Sequence, residues 1–255
     1  MGGRGVRVGL MLWALSALWA SAAVAEPASG PRQTIDQQFT SKLAGSPTGL
    51  AFSASYHAAG DPNGNPPYLR RMTFYPPPGM RYDTSVPDRC TATDVELEAR
   101  GAAACPEGSR IGTGEAEGIF YQPIGHAFIV DHYQHTLDVL NNASEQILLV
   151  NSEGSTVQRG KFLPDGSIDF RTTTCFPAPP TGQCADDYIL QLKSSTSMPA
   201  YTRTIGGQLR AYATTPPKCP KQRHWASTVK FWWSDGSEDS VVSKQPCKRP
   251  RAKSR

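Results

Sequence analysis

Residues 90–114 read CTATDVELEARGAAACPEGSRIGTG, and the organisation of the chain follows from this stretch. Thr93 and Glu96 stand at capping-box spacing, so one or two helical turns are expected over residues 95–99, with Gly101 ending them. Cys105-Pro106 then opens a turn, and Gly108, Gly112 and Gly114 relax the backbone where the chain returns to a strand through Ile111. A Cys90–Cys105 bridge would close this excursion and contribute about 3 kcal/mol in the chain-entropy model. The stretch is thus a stapled helical detour between strands. As a staple it says nothing about chemistry.

Outward from the staple, the patterning is of period two. Leu50, Phe52, Ala54 and Tyr56 alternate with small residues, and Met72 and Phe74 lie opposite Arg71, Thr73 and Tyr75. The prolines Pro76, Pro77 and Pro78 end that second strand, because proline cannot donate to a ladder. Strands are also expected over residues 111–120, 127–140, 146–150, 156–162, 167–170, 188–192, 208–213 and 225–233, with a return over 240–243. The turns between them are expected at Asn141-Asn142, Pro164-Asp165-Gly166 and Asp235-Gly236. Short strands punctuated by Gly and Pro predict an all-β fold, an antiparallel sandwich or open barrel with a disulfide-closed helix near residues 93–100.

The N-terminus reads as an address. Arg4 and Arg7 precede an apolar run, and Ala23-Val24-Ala25 is a small-residue cleavage site, so residues 1–25 are expected to be a signal peptide. The apolar run is shorter than the roughly 20 residues a spanning helix needs, and no later segment is apolar enough to cross a bilayer. Residues 26–45 read as a linker ending in an edge strand. Residues 46–247 form the β domain, in one piece or two sub-domains, and 248–255 a basic disordered tail. A secreted or cell-envelope location follows.

The formal net charge is +4. Without the two leader arginines it is +2, and without the five basic side chains of the last eight residues, KRPRAKSR, it is −3. The basicity therefore belongs to the tail, which excludes a nucleic-acid footprint and suits attraction to anionic cell-wall or membrane-surface components. The cysteines Cys90, Cys105, Cys175, Cys184, Cys219 and Cys247 make an even set in an exported chain. Their positions favour sequential pairs, 90–105, 175–184 and 219–247, each closing one local unit. No Cys/His ladder of zinc spacing competes with that reading.

Four segments, PTGLAFSASY, LRRMTFYPPPGM, VPDRC…CPEGSRIGTG and CPKQRHW…VKFWWSDGS…C, together resemble a widespread group of exported actinobacterial proteins. Those proteins carry a C…CPxGSxIGxG element and end in C…W…DGS…C. The resemblance spans most of residues 46–247 and implies a secreted β-rich protein, without implying an activity or catalytic residues. The Cys175/Cys184 pair and the histidine-rich segment around His126 depart from the group's pattern.

Histidine and carboxylate are common ligands of zinc and similar ions, and GHAFIVDHYQH gathers His126, His132 and His135 beside Asp131 and Asp138. Strand parity, however, puts His135 on the face opposite His126 and His132. The spacing matches no standard ligand motif, so no metal or cofactor is assigned. Ser109 follows a Cys-Pro turn and precedes a strand, which is the wrong context for a nucleophile elbow. His57 and His224 belong to no triad motif. Trp225, Trp232, Trp233 and Phe231 offer either core or an aromatic platform.

The reading adopted is a non-catalytic secreted or envelope-associated β protein of unknown ligand. Two alternatives stand beside it. One is a metal-assisted hydrolase using His126, His132 and His135. The other is a carrier of an apolar molecule in a cavity lined by Leu50, Phe52, Met72 and Phe74.

Overall fold

The computed structural model describes residues 31–124, 127–152, 156–172 and 189–250. The segment read as a signal peptide, His126, Cys175, Cys184 and the last five residues of the chain lie outside that set. In chain order the strands are β1 (Gln33–Phe39), β2 (Leu50–Tyr56), β3 (Leu69–Tyr75) and the two-residue β4 (Arg81–Tyr82). The helix α1 (Asp94–Arg100) follows. After it come β5 (Arg110–Ile124), β6 (Ala127–Asn142), β7 (Glu145–Val150), β8 (Thr156–Phe162) and β9 (Ile168–Arg171). The chain continues through β10 (Ile189–Met198), β11 (Thr202–Ile205), β12 (Gln208–Ala211) and β13 (Ala213–Thr214), and ends with β14 (His224–Trp233) and β15 (Glu238–Pro246).

Eleven of these strands form one antiparallel sheet in the order β1-β2-β10-β5-β6-β7-β8-β9-β3-β14-β15. The sheet curls until its two edges, β1 and β15, lie side by side, giving a nearly closed barrel. An odd number of strictly alternating strands makes the two edges run in the same direction. The chain shows this directly, since Leu43 and Lys248 form a parallel bridge in which Lys248 donates to the Lys42 carbonyl and Ala44 donates to that of Lys248. Lys248 therefore belongs to the seam, one residue inside the segment read as tail. At the opposite end of the seam, Arg32 pairs with Asp235 at 2.9 Å and reaches Asp239 at 4.0 Å.

The barrel has two unlike ends. At the base, where β1 and β15 finish, lie the Cys219–Cys247 bridge and the small β4–β13 ladder. At the rim the sheet ends in the terminal residues of β2, β5, β7, β9 and β14, and in the starts of the strands that follow each of them or precede them. The β5–β6 hairpin is the longest pair, and it runs past the end of β7, whose Val150 pairs only as far up as Leu137.

The stapled detour folds as its sequence dictates and packs on the outside of the wall. Thr93 and Glu96 form the reciprocal capping box, and Gly101 ends α1 at a positive φ of 61° that a side chain would resist. Leu97, fully buried, packs with Cys90 onto Leu140, Ile147 and Leu149, the outward residues of β6 and β7. Arg159 on β8 clamps the helix start, donating to Asp94 at 2.7 Å and to the Ala92 carbonyl at 3.0 Å. The Cys90–Cys105 bridge closes behind it.

Some boundaries differ from the sequence reading. Asn141 and Asn142 remain in β6, and the turn falls on Ala143-Ser144, where Ser144 takes a φ of 59°. The Asn141 side chain explains the difference: it is buried and donates to the Thr84 and Asp88 carbonyls, which anchors it in the wall. β10 runs on to Met198 through a polar Ser/Thr stretch, held as a strand by pairing on both edges. The span read as one strand over 208–213 divides into β12, which pairs with β11, and β13, which pairs with β4.

Candidate functional site

Alternation along eight strands sends one set of side chains into the barrel. Leu50, Phe52 and Tyr56 enter from β2, Met72 and Phe74 from β3, Leu137 and Val139 from β6, Leu148 and Val150 from β7, and Ile168 and Phe170 from β9. They enclose a cavity of about 770 Å³. The four residues read from the sequence as a possible lining, Leu50, Phe52, Met72 and Phe74, all face it. Its size lies within the range of small-molecule pockets.

Two glycines shape the wall. Gly118 sits opposite Tyr133 across β5 and β6, and a Cβ there would stand 2.5 Å from the Tyr133 Oη and 2.2 Å from the Leu190 carbonyl. Gly160 sits opposite Phe170, whose ring would lie 2.2 Å from an added Cβ. In both pairs the aromatic ring lies over the bare backbone of its partner, so bulk is moved across the sheet without filling the cavity. β10 contributes a bulge between Gln191 and Lys193. It switches the inward set from Ile189 and Gln191 above to Ser194, Thr196 and Met198 below.

The floor is aromatic and hydrogen-bonded. Gln146 donates to the Tyr212 Oη at 2.7 Å, and Tyr82 packs at centroid distances of 5.8 Å on Tyr212 and 5.2 Å on Phe162. Burial raises the Tyr82 and Tyr212 phenols well above the usual range, so both stay neutral. On the wall, Tyr56 lies 3.4 Å from the Ser194 hydroxyl, and burial pushes its phenol up to about 12. The same cause pushes Tyr133 up to about 12.

Toward the rim the lining turns polar, with Gln191, Thr156, Asp131 and His135, while Gln158 stands lower, across from Leu148. Asp131 is exposed and His135 half-buried, stacked on Tyr133 at 5.3 Å. Four residues apart on one strand, Asp131 and His135 stand roughly 13 Å apart, too far to share a proton. His132 is exposed and absent from the lining, so β6 divides the histidines between its faces. Among the described residues no three His, Cys, Asp or Glu side chains gather closely enough to hold a metal ion.

The remaining candidates fall elsewhere. The buried Ser109 hydroxyl donates to the Pro106 carbonyl at 2.6 Å, so it serves its turn. His57 bonds the Ala58 carbonyl and His224 that of Gln222, both away from the cavity. Trp225, Phe231 and Trp233 are core, whereas Trp232 lies on the outer face beneath Arg71, 4.5 Å from its ring centroid. The Cys175–Cys184 pair lies outside the described residues. Sequence reasoning missed Tyr82, Tyr212 and Gln146. The first two sit in or beside two-residue ladders, and one glutamine in a strand carries no signal that it faces a tyrosine.

Comparison with known proteins adds little to this geometry. No family model and no curated protein matches the chain. A solved structure described as "AvmM Catalyzes Macrocyclization in Alchivemycin A Biosynthesis" aligns over 88% of this chain and 93% of its own, at 9% identity and a TM-score of 0.26. At that TM-score the alignment carries no argument. Among the described residues no helix is long and apolar enough to cross a membrane.

Proposed function

We propose that this is a secreted or envelope-associated binding protein whose barrel holds a small apolar or amphipathic molecule. The observation that carries the reading is the 770 Å³ interior, lined in its lower part by aliphatic, aromatic and methionine side chains. A barrel of this many strands is wider than its side chains need to fill it, and the Gly118 and Gly160 pairs keep the space clear. The leader-like N-terminus and the two described disulfides suit an oxidising compartment. Binding is favoured over turnover because Asp131 and His135 are not within reach of each other. It is favoured over metal-assisted hydrolysis because His132 faces away from the cavity.

The test uses the neutral fluorescent probe N-phenyl-1-naphthylamine. Saturable one-to-one binding is expected, and Ala116→Phe, which fills the cavity from β5, is expected to weaken it at least tenfold while the far-UV spectrum is unchanged. Absence of saturable binding by the folded wild type, or equal binding by the variant, would refute the reading.

A further inference from the structure

The cavity's lining has a sign. Among its described residues there is one full charge, the Asp131 carboxylate at the rim, and there is no lysine or arginine. This is not for want of cations in the wall. Arg71 lies over Trp232 and pairs with Asp169, Lys193 pairs with Glu117, Lys230 lies over Tyr75, and Arg159 binds Asp94 and Glu145. Each stands at a strand position that alternation turns outward.

We infer that the occupant of the barrel is an amphiphile whose head is uncharged or cationic, and that Asp131 sets this preference by excluding anionic heads such as a fatty-acid carboxylate. The inference rests on the binding reading above and sharpens it. An apolar tail fits the lower wall of Phe52, Phe74, Phe170 and Leu148 and loses its contact with water there. Its head then faces the polar part of the lining, where Gln191 and Asp131 offer an amide and one carboxylate. An ammonium or hydroxyl head finds partners at that level. A carboxylate head would give up hydration beside a like charge with no cation to compensate, which is how a site rejects a competitor of the same shape.

Three ligands of equal tail length separate the possibilities: decanol, decyltrimethylammonium and decanoate, each competing against N-phenyl-1-naphthylamine at pH 8. Decanol and decyltrimethylammonium are expected to displace the probe, and decanoate to need at least tenfold more. Asp131→Lys, at an exposed position that should not disturb folding, is expected to reverse the order of the cation and the anion. Decanoate competing as well as decyltrimethylammonium with the wild type would overturn the inference while the cavity reading stood. A folded Asp131→Lys protein with the wild-type order would overturn the role given to Asp131. Failure of the probe itself to bind would remove both readings together.

Discussion

The two ends of the barrel are built differently although the same strands form both. At the base, chain segments cross and lock. The Cys219–Cys247 bridge ties the approach to β14 to the end of β15, the β4–β13 ladder inserts Tyr82 beneath the cavity, and Lys248 binds the backbone of residues 42 and 44. At the rim the cavity is bordered by polar side chains, and Arg32 reaches across the seam to Asp235, Ser237 and Asp239. The contrast teaches where cohesion is concentrated. If the barrel holds a ligand as proposed, the firm base leaves the rim to serve recognition.

The largest expected effect that tests this division is at the base. Replacing both Cys219 and Cys247 with serine opens a loop of 28 residues and should cost about 3.5 kcal/mol in the chain-entropy model. Denaturant unfolding would measure it, and probe affinity well below the melting range should stay within twofold of wild type. A large loss of affinity in the still-folded variant would mean that base and cavity are not separable.

An intermediate effect is expected in the wall toward the rim. Gly118→Ala drives a methyl against the Tyr133 ring and the β10 backbone, and overpacking of this kind costs about 1–3 kcal/mol. Here the affinity should change along with the stability, because Tyr133 lines the cavity. An affinity that stays fixed while stability falls would place Tyr133 outside the binding surface.

The smallest effect is expected beyond the seam. Deleting residues 249–255, which starts after the paired Lys248, should change stability by less than about 0.5 kcal/mol. It should weaken attachment to anionic vesicles at low salt, where the lost basic side chains are unscreened. Equal attachment of both forms in a sedimentation assay would show that the tail has no such role.

How much of this was legible in the sequence depended on the range of the interaction. The capping box at Thr93 and Glu96, the 90–105 and 219–247 bridges, and the alternation of Leu50–Tyr56 and His224–Trp233 are local signals, and each appears in the structure. The order of the strands is not local. β10 lies between β2 and β5, and β3 between β9 and β14, so the sheet interleaves distant parts of the chain. Inward residues could be ranked by alternation, but whether they fill a core or surround a space depends on that order and on how far the sheet curls. This is why Leu50, Phe52, Met72 and Phe74 could be named as one lining while Gln146, Tyr133 and Gln158 could not. Strand parity also separated His132 from His135, but it could not tell which of the two would face the interior.

The same-direction seam has a bearing on how the protein is held in space. Because β1 and β15 run in parallel, the described chain begins at the rim, with Arg32, and leaves β15 at the base, with Lys248. A molecule gripped by its basic C-terminal residues on an anionic surface would stand upright on its closed end, with its mouth facing outward into the medium. One tethered through its N-terminal residues would present the mouth to the surface that holds it. Under the proposed binding role, orientation, and with it whether a ligand is exchanged with the surroundings or with the surface beneath, would be decided by which end of the polypeptide is anchored.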